Sequence, residues 1–114
     1  MITPVLSGTH IMHSDWGDEP DDFYICLDVF IGEQGEKNSH SFEVFRIEII
    51  SPKRLVKKLS DTIEIELGRG CFITSDYSLP RIEGKIEQLL RFCKREIWDD
   101  VIHAISRYMI YADE

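Results

Sequence analysis

The sequence predicts an α+β fold: a single domain over residues 1–114, built on an antiparallel-rich β-sheet with a C-terminal pair of helices packed on one face. Three observations carry this. Apolar residues alternate with a period of two through residues 23–31 and 42–50. From residue 82 onward the apolar period becomes helical. Strands and helices are not interleaved as βαβ units, which argues against a doubly wound parallel sheet. At 114 residues, 43% hydrophobic and 30% charged, the chain has ordinary globular composition and length enough for a core without metal or disulfide staples.

The elements follow in order. Val5, Leu6, Ile11 and Met12 mark residues 3–13 as one strand or two short extended pieces. Residues 14–22 read as a loop, broken by Gly17 and Pro20 and solvated by acids. Phe23 to Ile31 is a strand with Phe23, Ile25, Leu27, Val29 and Ile31 on one face. Tyr24, Cys26 and Phe30 make its other face largely apolar, interrupted by Asp28, as in a central strand. Gly32 to Ser41 reads as a hairpin loop, and Phe42 to Ile50 as the returning strand. Ser51-Pro52 fits a helix start. Leu55, Val56 and Leu59 give that helix an apolar stripe, with Lys53, Arg54, Lys57 and Lys58 expected to face outward. Ile63, Ile65 and Leu67 suggest a short strand, Gly68-Arg69-Gly70 a turn, and Cys71 to Thr74 a further strand. Ile82, Ile86, Leu89, Leu90 and Cys93 share one helical face. Gly84 lies opposite, where it costs about 1 kcal/mol against alanine. Trp98, Val101, Ile102, Ile105 and Met109 define a last helix, and the short join predicts an antiparallel helix pair. Tyr108 to Tyr111 is expected to leave the helix as an extended piece.

Charge is distributed unevenly. The first 36 residues contain no lysine or arginine but eight acids, and the remaining 78 hold 13 acids and 13 bases. The whole net charge of −8 therefore belongs to the first third of the chain. Self-repulsion of this kind does not help folding, and its simplest use is a basic partner. The same charge argues against direct binding of nucleic acid or of an anionic membrane. No apolar run approaches the roughly 20 residues of a membrane span. The start Met1-Ile2-Thr3-Pro4 lacks the positive region of a secretory signal, so a cytoplasmic protein is expected. Cys26, Cys71 and Cys93 form no close pair and read as buried thiols in a reducing compartment. Oligomeric state is not readable.

Catalytic and metal signatures are absent from the sequence, and no cofactor is expected. His10, His13 and Asp15 form an H-x-x-H-x-D run, but simple strand alternation sends the two histidines to opposite faces, and no C-x-x-C completes a zinc site. There is no G-x-S-x-G elbow, and Gly68-Arg69-Gly70 lacks the length and lysine of a phosphate loop. Asp21/Asp22 and Asp99/Asp100 are adjacent carboxylates, whose side chains diverge on a regular element; Asp99 and Asp100 suit the positive end of the last helix. No enzyme is expected. The acidic loop stands out instead. Asp15, Asp18, Glu19, Asp21 and Asp22 supply charge, and Trp16 among them is the residue type enriched at binding hot spots. These six are the candidate partner-binding residues, against the plain alternatives of a solvated loop and a tryptophan folded onto the core edge.

The order of several motifs adds a resemblance. Asp22-Phe23 opens an apolar strand ending Ile31-Gly32; a glycine-containing loop follows, then Phe42-x-Val44 and Ser51-Pro52-x-x-Leu55. Further on come Gly68-Arg69-Gly70 into Cys71-Phe72-Ile73, Asp76-Tyr77, Trp98, Asp100-Val101 and Ser106-Arg107-Tyr108. From about residue 22 to the end, this series resembles the Imm8-type immunity proteins of bacterial polymorphic toxin systems. The resemblance implies a small cytoplasmic antitoxin that inhibits a cognate toxin domain stoichiometrically, in contact-dependent growth inhibition or a related setting. Toxin domains in such systems are often nucleases, and these bind phosphate through lysine and arginine, so an acidic inhibitor is complementary. The expected function is thus occlusion of a basic toxin's active site. The alternative is an acidic adaptor or assembly subunit for another basic protein. No fixed set of binding residues comes with the resemblance.

Overall fold

Strand β2 (Phe23–Glu33) is the spine of the sheet, and its alternation dictates the rest. Phe23, Ile25, Leu27, Val29 and Ile31 are all buried to within 1%. A slip of one residue would turn every one of them to the other face, so the register is strongly specified. The computed structural model describes residues 1–35, 42–62, 65 and 67–112. On one side β2 pairs antiparallel with β1 (Pro4–Trp16), and on the other with β3 (Glu43–Ile50). The far edge of β3 is shared. Its second half pairs in parallel with β4 (Cys71–Ile73), and its first half pairs antiparallel with β5 (Ile110–Tyr111). The extended piece expected near the C-terminal end is therefore the fifth strand.

Helices α2 (Leu79–Leu90) and α3 (Trp98–Ile105) cover one face of the sheet. Ile82, Ile86 and Leu90 of α2 and Val101, Ala104 and Ile105 of α3 join the inward residues of β2 and β3 in one core. The fold class is as the sequence predicts. The close backbone approach of α2 is to β1, however, rather than to α3 as in an antiparallel hairpin. Asp99 and Asp100 occupy the first turn of α3, where the helix dipole favours negative charge. Cys93 is buried, Cys26 and Cys71 are half-buried, and all three thiols are free. Burial pushes each thiol's pKa up. Among the described residues, no helix is long and apolar enough to cross a membrane.

Several local expectations are corrected. Ser14, Asp15 and Trp16 are the last residues of β1 and not loop, so the connection to β2 spans only residues 17–22. Residues 4–13 of the stretch expected as 3–13 are part of one long strand, irregular at Ser7 and Met12. The extra residue at Met12 changes the alternation. His10 now faces Asp28 and His13 faces Cys26, which puts both histidines on the same side of the sheet. β2 runs on through Gly32 and Glu33, and most of the expected hairpin loop, residues 36–41, lies outside the described residues. So do residues 63, 64 and 66 of the expected short strand; Ile65 and Leu67 belong to no strand and are almost fully exposed.

Candidate partner-binding surface

The acidic residues converge at the turn between β1 and β2. The Gly17 N–H donates to the Asp22 carbonyl at 2.8 Å and the Asp22 N–H to the Glu19 carbonyl at 3.1 Å, which closes the loop tightly. Gly17 matters for a second reason. A Cβ there would lie 2.3 Å from Oδ2 and 2.7 Å from Cγ of Asp22, so the missing side chain is the space the carboxylate occupies.

Helix α1 (Pro52–Asp61) is tied to this turn by Ser51, its N-cap, which is completely buried. The Ser51 hydroxyl accepts the Arg54 N–H at 3.1 Å, the usual cap bond, and also the Phe23 N–H at 3.2 Å. The Ser51 N–H donates to the Phe23 carbonyl at 3.1 Å. The first turn of α1 is thereby held beside Asp22. Arg54 donates from Nε to Asp22 at 2.6 Å and from Nη1 to Asp15 at 2.8 Å. Lys57 pairs with the other Asp22 oxygen, and Lys53 pairs with Glu19 and, at 3.3 Å, with Asp21.

These pairs reverse the expected orientation of α1. Its bases turn toward the acidic loop, while Val56 and Leu59 face solvent. Desolvated charges left unpaired would be costly, so the buried Asp22 carboxylate governs which way the helix turns. The hydrogen bond from Lys57, then that from Arg54, holds Asp22 below the ordinary carboxylate range. Lys53 is raised chiefly by its hydrogen bond to Glu19, and Arg54 chiefly by that to Asp22.

The six sequence-predicted residues thus meet in one place but differ in availability. Asp22 is 3% exposed and serves as the pin between loop and helix. Asp15, Glu19 and Asp21 are paired yet remain more than half exposed, and exposed pairs of this kind hold only weakly. Asp18 is exposed and has no ion pair among the described residues. Asp15, Glu19, Asp21 and Asp22 share the three bases Lys53, Arg54 and Lys57, and Asp18 adds a fifth carboxylate beside them. Trp16 is 48% exposed. Its ring rests on Phe23 at 5.1 Å and meets Tyr77 edge-on at 6.1 Å, which fixes the indole while leaving part of it open. An open groove of about 590 Å³ separates the loop from α1, with Trp16, Asp18, Tyr24 and Lys57 among its walls.

Sequence reasoning missed Ser51, Lys53, Arg54 and Lys57. The signal was available. Pairing of residues 42–50 against 23–31 brings residue 51 next to the start of β2. Bases at positions 53, 54 and 57 then fall opposite the one segment that carries acids alone. Elsewhere on the face away from α2 and α3, Arg46 bonds Asp28 at 3.0 Å and the Tyr24 hydroxyl donates to Glu48 at 2.9 Å. Burial, and secondarily Glu48, pushes the Tyr24 phenol well above its usual value.

A family model described as Immunity protein 8 matches residues 6–112, nearly the whole described chain. No curated protein and no solved structure matches.

Proposed function

The chain belongs to the Immunity protein 8 family, and from that premise we propose that it protects a cell by binding a basic toxin domain, a nuclease, and occluding its active site. Family membership carries the first half of this reading: an immunity protein acts against a toxin by binding it. The acidic surface supports the second. Asp15, Asp18, Glu19 and Asp21 leave an exposed, net negative patch beside a half-open tryptophan. Lysines and arginines that grip phosphate in a nuclease would find carboxylates here. Lys53, half-buried and paired only with the exposed Glu19 and Asp21, is the base such a partner would displace, while Asp22 keeps the loop in shape. Complementary charge also speeds encounter, up to about 10⁸–10⁹ M⁻¹s⁻¹ at low salt, which suits an antitoxin acting in the cytoplasm against a toxin delivered by neighbouring cells. Inhibition is stoichiometric and involves no turnover.

Co-expression with the toxin domain encoded directly upstream tests the function, with growth and co-purification as readouts. Replacing Asp18, Glu19 and Asp21 together by lysine tests the surface. Weaker binding with a flatter salt dependence is expected. Unchanged affinity and salt slope would remove the acidic loop from the interface and leave the immunity role to another face.

A further inference from the structure

We infer that the toxin engages this surface by laying an extended segment along the free edge of β1 at His13–Trp16, as an added strand. The inference rests on the function proposed above and names how that site holds its partner. β1 is an edge strand: its described ladder is to β2 alone, and every residue from His10 to Asp21 is exposed. The direction of the free backbone groups follows from Phe23. Its N–H goes to the Ser51 hydroxyl and its carbonyl takes the Ser51 N–H, so both point toward α1 and away from β1. Residues opposite each other in an antiparallel ladder point their polar groups the same way, toward or away from the pair. Trp16 faces Phe23, so its N–H and C=O point to the open edge, and by alternation so do those of Ser14.

The edge carries little protection. Sheet edges are commonly guarded by lysine, proline or bulges. From Val5 to Trp16 there is no lysine, arginine or proline, and the irregularities lie at Ser7 and Met12. His13–Trp16, beyond the second of these, has regular register. Nearer the start, Thr9 is flanked by Glu83 of α2 at 3.4 Å. The open stretch therefore ends at Trp16, against the acidic turn. A strand added here would set alternate side chains against the indole of Trp16 and against Asp15, with Asp18 and Glu19 at its end. Two consecutive residues, an apolar one on the face of Trp16 and a lysine or arginine on the face of Asp15, match that surface. A second copy of this chain fits less well, because it would bring another net charge of −8 to the same patch. Backbone pairing supplies affinity in such complexes, and the side-chain contacts supply selectivity.

Ser14→Pro removes an outward N–H and leaves the ladder to β2 intact, since proline is tolerated on an edge. Titrated against the upstream-encoded toxin domain, it should bind at least about tenfold more weakly than wild type, while Ser14→Ala binds as wild type. Hydrogen exchange on the wild-type complex gives a second measure: the Ser14 and Trp16 amides should gain protection, and that of Asp15, already paired to β2, should not change. Full affinity of a folded Ser14→Pro variant, or no added protection at Ser14 and Trp16, overturns the strand addition while leaving the immunity function standing. Failure of wild type to bind the toxin domain overturns the function itself, and this inference with it.

Discussion

Replacing Ser51 by alanine would test the clamp that turns α1 onto the acidic loop. The hydroxyl has two separable jobs. As a helix cap it accepts the Arg54 N–H at 3.1 Å, and losing a serine cap costs about 1 kcal/mol. As a bridge it accepts the Phe23 N–H at 3.2 Å, and a buried donor without a partner costs about 1–3 kcal/mol. Phe23 has no easy escape, because its side chain is fully buried and its carbonyl already takes the Ser51 N–H. Together the losses come to roughly 3 kcal/mol, or about 12 °C in Tm for a domain of this size. Urea unfolding read by linear extrapolation measures the first figure directly. Ser51→Gly divides the effect, since glycine at a cap loses only a few tenths of a kcal/mol and still orphans Phe23. It should retain a loss of about 2 kcal/mol. A loss below about 1 kcal/mol for Ser51→Ala would refute the clamp; recovery of wild-type stability by Ser51→Gly would refute the strand's share of it.

Other outcomes follow from the same geometry. Asp22 is held below its ordinary value of 3.8, so its stabilisation is complete above the unfolded pKa and is lost as pH falls through the depressed folded one. Asp22→Asn should therefore melt below wild type at neutral pH, with the gap closing in acid; a gap constant into strong acid contradicts the pairing. Gly84 is exposed on α2 with nothing within 4 Å of where a Cβ would stand, so Gly84→Ala should stabilise by about 1 kcal/mol, and thermal melts would show any loss instead. The Tyr77 hydroxyl is buried without a hydrogen-bond partner among the described residues. Tyr77→Phe should keep or raise Tm, and a clear drop would reveal a partner for the hydroxyl.

The parts of the fold that were legible are those where one force dominates. β2 and β3 alternate cleanly because one face is buried along their length, and α2 and α3 carry stripes because each has one face in the core. Where forces compete, pattern reading failed. In α1 the apolar stripe implied that Leu55, Val56 and Leu59 point inward, but pairing of Arg54 and Lys57 with buried Asp22 prevails, leaving Leu55 half-buried and Val56 and Leu59 exposed. Ser14–Trp16 looks like loop because the strand's distal half is exposed on both faces and leaves no alternation. The histidines were assigned to opposite faces because an irregularity of one residue at Met12 has no signature in the sequence. The candidate surface was legible as charge, and its compensation was not, since the bases come from an element more than thirty positions away.

The two edges of the sheet are unlike, and this bears on self-assembly. β1 presents a long edge, whereas the other side of β3 is closed end to end by pieces of three and two residues, β4 and β5. Strands that short offer almost no ladder to recruit another chain. A fibre grows when one edge of each molecule accepts the opposite edge of the next, so both must be open. Here only one is. Pairing through β1 ends after a single added chain, and the molecule can keep an adhesive edge at cellular concentrations without seeding a polymer.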